Sequence, residues 1–377
     1  MIIIAPDKFK GSLSSIEICD IVISEFIKKM PGVNIAKFPF SDGGNGFLDV
    51  IQYYLPYLKT KNVMIENPLL TGKINTRYLS DGYKAFIENA ESNGSNLLCP
   101  SQRNPMDTST FGLGQLVKHA KNEGHKEIII GLGGSSTNDG GIGLATALGY
   151  KFLDKNNESV KPIGRNLIEI KDFNYDNCLN NVSIYGIYDV DNIFFGKSGA
   201  SFIYAKQKGA SDSDIQYLDA GMQNLSEIIK NKKGIDLNTF KGSGAAGGLG
   251  GGLKALFNAN LIKGTEFFIN LSNIKDYLRD CELLITGEGS LDEQSLYGKV
   301  VYELSAMCKT YHIPVYAITG INTLNTSALK KAGISRVYPL KSNEISLDQS
   351  IRDAKNILKI KAHEIAEDVS LYLSIIK

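Results

Sequence analysis

The chain is poor in the residues that build metal and disulfide frameworks, with five cysteines and four histidines among its 377 residues. The cysteines (Cys19, Cys99, Cys178, Cys281, Cys308) are odd in number, widely spaced and never paired as C-x-x-C. Neither a disulfide framework nor a zinc cluster is expected, and a reducing compartment, the cytoplasm, fits best. The histidines (His119, His125, His312, His363) form no pair with metal-site spacing, so histidine is not expected to be central. Charge is also in short supply: 41 Lys+Arg against 40 Asp+Glu leave a net +1 and no global field to attract nucleic acid. No apolar run approaches the roughly 18 residues that would suggest a membrane span. The opening Met1–Lys8 has no basic region and too short an apolar stretch to read as a signal peptide. Neither nucleic acid nor membrane is expected as a partner.

The one excess is glycine, 38 residues, about one in ten against an average usage of about 7%. The glycines gather at 43–46, 131–149, 242–252 and 287–298, without a collagen period. Glycine spread evenly suggests loops; glycine in clusters suggests backbone held close to a ligand. With 43% hydrophobic residues the chain can fill more than one core, and at roughly 150 residues per domain two or three domains are expected.

Both ends carry an α/β rhythm. Met1–Ala5 reads as a strand, and Ile16, Ile18, Val22, Ile23, Phe26 and Ile27 give a broad buried face at helical spacing over 14–29, with Ser14-x-x-Glu17 as a capping box. Asn34–Phe40 alternates like a second strand and leads into the loop Ser41–Gly46. Near the other end, Glu282–Thr286 and Val315–Thr319 read as strands, 298–310 and 325–332 as helices, Arg336–Tyr338 as a short strand, and 348–375 as one or two long helices. The middle is β-rich over 60–90 with a turn at Ser80-Asp-Gly, then helical at 110–122, a strand at 127–132, and a polar helix at 212–231. The expected fold class is α/β with two domains. Residues 1–62 and 280–377 form a discontinuous Rossmann/flavodoxin-like parallel sheet, 63–279 form an inserted α/β domain with glycine-rich loops, and the site lies in the cleft between them.

Candidate chemistry follows the strands. Asp7-Lys8-Phe9-Lys10-Gly11-Ser12 lies after the first strand and before a helix, where two lysines could meet an anion. Ser41-Asp42-Gly43-Gly44-Asn45-Gly46 follows the second strand. Asp-Gly-Gly suits a backbone needing positive φ or close contact. Gly131–Gly143 follows another strand, and the N–H groups of its glycines, with the hydroxyls of Ser135, Ser136 and Thr137, suggest an anion cradle. Asn138 and Asp139 could hold magnesium or a hydroxyl. Asp189 and Asp191 fall just past a strand end, as a base or magnesium site would, and Lys206 and Lys208 offer cations. Glu288 and Asp292, between glycines after a strand, resemble magnesium or hydroxyl ligands. Arg103 is one of only six arginines and sits in a Pro-flanked loop, where its fork could grip a carboxylate.

Two familiar patterns are absent. Gly242-Ser-Gly-Ala-Ala-Gly matches G-x-G-x-x-G, but 236–241 does not read as the buried strand that a dinucleotide fold requires; close helix packing and a nucleotide loop both remain open for this cluster. Gly196-Lys197-Ser198 lacks the upstream glycine of a P-loop, since Asp191 stands there. The remaining inventory of carboxylates, lysines and glycine-rich cradles suits phosphoryl transfer, which depends on positioning and charge neutralisation.

These motifs resemble the type I bacterial glycerate kinases. The resemblance rests on Ile4–Ser12, Ser41–Gly46, Gly131–Gly143, Asp189–Asn192, Gln207–Ala210, Gly242–Gly252 and Thr286–Ser295, in the family's order over almost the whole chain. Asn45 replaces the usual glutamate, and Ile193-Phe194 the usual Pro-Leu. The resemblance implies ATP and Mg2+ as cofactors, D-glycerate as the small-molecule substrate, and 2- or 3-phosphoglycerate as product. It implies that Asp189 or Asp191 takes the hydroxyl proton and that Lys8 and Lys10, with Lys208, neutralise the phosphoryl group. Asp42, Arg103, Ser12 and Lys208 would contact substrate, Arg103 through the glycerate carboxylate. Gly133, Gly134, Ser135, Ser136 and Thr137 would cradle the nucleotide, and Glu288 and Asp292 would hold the metal. The competing readings are a kinase for another small hydroxy acid, and a non-catalytic phosphometabolite-binding regulator. The oligomeric state is left open.

Overall fold

The computed structural model describes residues 1–175, 179–296, 298–342 and 345–376; Cys178 lies outside them. In chain order the strands are β1 (Ile2–Pro6), β2 (Ile35–Lys37), β3 (Lys59–Glu66), β4 (Lys73–Ser80), β5 (Lys84–Glu88), β6 (Glu127–Gly131) and β7 (Lys151–Leu153). They continue with β8 (Asp172–Asn174), β9 (Ser183–Tyr188), β10 (Asn260–Lys263), β11 (Leu283–Leu291), β12 (Val315–Asn322) and β13 (Arg336–Pro339). The chain divides into two compact units, Met1–Asp42 with Thr265–Lys377, and Gly43–Gly264.

The first unit is built from both chain ends, as its shared α/β texture suggested. Its sheet is parallel throughout, in the order β2-β1-β11-β12-β13. Counted within the unit this is 2-1-3-4-5, the flavodoxin-like doubly wound order, and the order reverses at β1 beside β11. The apolar β1, Ile2–Pro6, is buried along its whole length. Helix Ser15–Lys29 starts at the capping box read from the sequence: Ser14 Oγ accepts from Glu17 N–H, and the Glu17 carboxylate accepts from Ser14 N–H at 2.9 Å. Its Ile18, Val22 and Phe26 share a core with Leu358, Ala362 and Ile365 of helix Ala354–Ile376.

Strand β11 runs to Leu291, beyond the expected end at Thr286. The glycines that look like a loop are what allow it. A Cβ on Gly287 would lie 2.4 Å from Ile318 O, and one on Gly320 2.4 Å from Gly289 O, so these strands approach too closely for side chains there.

The second unit holds a six-stranded sheet, β10-β9-β6-β5-β4-β3, in which β5, β6, β9 and β10 run parallel and β3 and β4 are antiparallel. A small two-stranded antiparallel sheet of β7 and β8 is separate from it. Helix Phe47–Tyr54, for which the sequence reading gave no element, buries Phe47, Leu48, Val50 and Ile51. The buried Glu88 carboxylate caps it, accepting from Gly46 and Leu48 N–H at 3.1 Å. Among the described residues no helix is long and apolar enough to cross a membrane.

The 242–252 glycines serve close packing. Ala246, Gly247 and Gly248 all have positive φ (54°, 68° and 87°), breaking the helix assigned over Ala245–Phe257. A Cβ on Gly247 would sit 2.0 Å from Thr137 O, and one on Gly252 2.2 Å from Gly140 O. Gly247→Ala combines a left-handed backbone with a backbone clash, so we expect it to lower unfolding stability by about 3 kcal/mol. Urea denaturation checks this, and an unchanged midpoint would contradict it.

Candidate active site

In open α/β sheets ligands gather beyond the carboxyl ends of the strands, at the switch point. In the first unit that edge carries acids. Asp7 follows β1 directly and its N–H donates to Gly287 O on β11 at 2.8 Å. Chain running on from β2 pairs irregularly with β1, Phe40 N–H donating to Pro6 O at 3.0 Å, and so delivers Asp42 to the same end. There Asp42 forms an ion pair with Lys8. Burial, then the Asp42 carboxylate, hold Asp7 well above the ordinary carboxylate range, against the pull of Lys8.

Glu288 lies on β11 opposite Thr319 of β12. Its side chain is 7% exposed, with Lys299 Nζ 3.6 Å from Oε2. Burial pushes the Glu288 carboxyl up to about 7 even against Lys299. Its Oε1 is buried without a hydrogen-bond partner among the described residues, and so is Thr319 Oγ1. A buried acid with an unused oxygen is poised for a ligand. Asp292 uses its oxygens nearby: Oδ1 accepts from Ser295 N–H at 3.2 Å and Oδ2 from Ser290 Oγ at 3.1 Å. Ser12 turns back on its own loop, donating to Phe9 O at 3.2 Å, and Lys10 is exposed. Among the described residues no three His, Cys, Asp or Glu side chains gather as a metal cluster. Magnesium in phosphotransferases needs no such cage, taking one or two carboxylates and completing its shell with phosphate and water. The unused Glu288 oxygen fits that pattern.

In the second unit the carboxyl ends of β5, β6, β9 and β10 bring together basic and hydroxyl groups. The loop after β6 is packed so closely that its glycines are structural as well. A Cβ on Gly131 would lie 2.6 Å from Gly43 O, and one on Gly133 2.6 Å from Gly44 Cα. Gly43 itself has φ +83° and would strike Ile187 O at 2.7 Å. Gly133 N–H donates to Gly43 O at 3.0 Å and Ser136 N–H to Asn93 O at 2.8 Å, so two of the supposed cradle donors are occupied. Gly134 takes φ +76°. Asp139 points inward: Thr110 N–H and Oγ1 and Gly141 and Gly143 N–H all donate to it. This acid clamps the turn and does not face a metal.

Lys208 is buried. Its ammonium donates to Ser135 Oγ at 2.9 Å and Thr137 O at 2.7 Å, placing a positive charge on the loop. Thr137 Oγ1 and Asn138 Oδ1 are buried and unpartnered among the described residues. Arg103 comes alongside, since a Cβ on Gly209 would fall 1.9 Å from Arg103 O; its Nε donates to Leu98 O at 3.3 Å. Beyond β9, Asp191 Oδ2 pairs with Lys241 at 3.0 Å and Lys263 at 3.3 Å, while Oδ1 is buried without a hydrogen-bond partner among the described residues. Asp189 lies close enough for its charge to act on the Tyr204 phenol.

Of the residues singled out from sequence, Asp7, Lys8, Asp42 and Glu288 gather in the first unit, and Arg103, Ser135, Thr137 and Lys208 in the second. Sequence reasoning overlooked Lys263, which faces Asp191, and gave no role to Lys299, which follows the Thr286–Asp292 segment and faces Glu288.

This chain matches the model of the Glycerate kinase family over residues 2–370. It is 34% identical to a glycerate kinase of Bacillus cereus, covering 97% of each chain. It is also 34% identical to the glycerate 2-kinase of Escherichia coli K12, covering 98% of each. A crystal structure from Salmonella typhimurium LT2 resembles it with a TM-score of 0.79 at 32% identity, covering 99% of both chains. The chain belongs to the glycerate kinase family.

Proposed function

We propose that this protein is a glycerate kinase that transfers the γ-phosphoryl group of ATP to a hydroxyl of D-glycerate. The observation that carries the reading is the full-length family match. The acid and cation clusters at the strand ends supply the inventory such a reaction needs.

The hydroxyl oxygen of glycerate forms a bond to the γ-phosphorus as the bond to the bridging oxygen breaks. ADP departs, and the hydroxyl proton passes to a carboxylate, Asp189 or Asp191. Asp191 faces the ammonium groups of Lys241 and Lys263, which would hold its carboxylate charged and ready for the proton. Lys208 holds Ser135 and Thr137 in place and brings positive charge to the nucleotide phosphates. Arg103 presents a planar fork to the glycerate carboxylate. Lys8 is tethered by Asp42, which limits where its charge acts. Glu288 is the residue that would hold Mg2+. Bound there, the ion would supply positive charge against the negative charge that develops on the phosphates during transfer. The buried free thiols of Cys19, Cys281 and Cys308 suit the reducing cytoplasm.

Asp189→Asn is expected to lower kcat about 10²-fold, leaving ATP affinity near wild type; Asp191→Asn should also lower it. Full activity in both variants would remove the acid from the mechanism. Acceptor choice is tested by an ADP-release assay with D-glycerate, L-glycerate, tartronate and glycerol. D-glycerate is expected to give the highest kcat/KM, and preference for another acceptor would reassign the substrate. Binding of phosphometabolites without turnover would support a regulator instead.

A further inference from the structure

One short segment of the second unit reaches both loops that carry the proposed chemistry. Helix Ala200–Tyr204 continues as the turn Lys206–Lys208. From its start, Ser201 Oγ accepts from Asn138 Nδ2 at 3.1 Å. From its end, Lys208 holds Ser135 and Thr137. Between them, the half-buried Tyr204 hydroxyl donates to Asn192 Oδ1 at 2.5 Å. Asn192 lies three residues after Asp189 and next to Asp191. Its amide donates to Ser198 O at 3.0 Å, and its carbonyl accepts from Gly244 N–H at 2.9 Å. Its side-chain oxygen, side-chain amide group and backbone carbonyl are thus each employed in fixing the acid loop.

We propose that Tyr204 is a positioning residue for phosphoryl transfer, holding the Asp189–Asn192 loop through Asn192 while Lys208, on the same segment, holds the glycine-rich loop. The inference rests on the kinase reading. Burial, then the negative charge of Asp189, raise the pKa of the phenol. Tyr204 thus remains a neutral donor at physiological pH. A donor that cannot ionise is suited to fixing a neighbouring amide and not to exchanging protons itself. No motif marks this residue: it is one of 18 tyrosines, and only the fold brings it to Asn192.

The test is a double-mutant cycle on D-glycerate-dependent ADP release, with Tyr204→Phe and Asn192→Ala. Tyr204→Phe is expected to lower kcat about 10²-fold, with the KM for ATP and the melting temperature near wild type. Asn192→Ala should show the same loss, and the double variant about 10²-fold in total instead of the about 10⁴-fold that independent effects would give. Undiminished kcat in Tyr204→Phe, additive losses, or a loss that tracks lowered melting temperature would each overturn the proposal. A wild type without D-glycerate-dependent turnover would overturn the kinase reading and this proposal with it. An active wild type beside an equally active Tyr204→Phe would overturn this proposal alone.

Discussion

Lys208→Met is expected to lower kcat/KM for ATP about 10³-fold while the protein stays folded. Methionine keeps most of the volume of lysine, so packing around residue 208 changes little. What disappears is a buried ammonium and its bonds to Ser135 Oγ and Thr137 O. The loop then loses a positive charge beside the phosphates and the anchor that fixes its hydroxyls. Removing one preorganised donor typically costs 10²- to 10³-fold, and displacement of the loop adds to it. Lys208→Arg would restore charge but not the compact geometry of an ammonium enclosed by two oxygens, so rescue should be partial. Steady-state kinetics decide the matter: a loss below tenfold in Lys208→Met would remove Lys208 from the nucleotide site.

Glu288→Gln is expected to lower kcat about 10³-fold and to make the metal-free protein more stable at alkaline pH. The sign follows from the raised pKa. Burial moves Glu288 from its ordinary 4.5 to about 7, so between those values the folded state binds more protons than the unfolded state. Stability from this group is fully present below pH 4.5 and is lost as pH rises through 7, by about 3 kcal/mol in all. Asp7, whose pKa is also raised, gives a slope of the same sign, so the comparison is variant against wild type. Glutamine has no charge to desolvate, and its advantage over glutamate should grow by about 3 kcal/mol between pH 4.5 and 8 in EDTA. Denaturant titrations across that range measure it. A pH-independent difference would show that Glu288 is not the strained acid of this site. A more stable but less active variant is the signature expected where a fold bears an unfavourable charge for function.

Much of the scaffold was legible because local rules and global packing agree. The Ser14–Glu17 capping box and the buried Ile18, Val22 and Phe26 face mark helix Ser15–Lys29 directly. The parallel sheet of the first unit was readable from strand–helix–strand rhythm at both ends. Glycine was harder to interpret. At 287 and 289 it reads as a loop but continues β11, because the neighbouring backbone leaves no room for a Cβ at 287 and a neighbouring glycine leaves none at 320. At 131, 133 and 247 it admits another strand or turn, a requirement set by partners far away in sequence. The excess that suggested ligand contact thus divides between a loop held by Lys208 and plain backbone packing.

The placement of charged residues was legible where they follow a strand, as with Asp7, Asp42 and Asp189. Site chemistry was not legible where burial decides the role. Asp139 and Glu288 look alike in sequence, each an acid among glycines. Four donors enclose the first, whereas the second keeps a buried oxygen without a hydrogen-bond partner among the described residues. The functional reading depends on that difference, which only tertiary packing creates.

The central claim is tested most directly by 31P NMR of the purified protein incubated with ATP, Mg2+ and D-glycerate. The account predicts that ADP and a phosphoglycerate monoester appear in equal amounts, and that neither forms without D-glycerate. ATP left intact, or ADP and inorganic phosphate released without a phosphoglycerate, would contradict it.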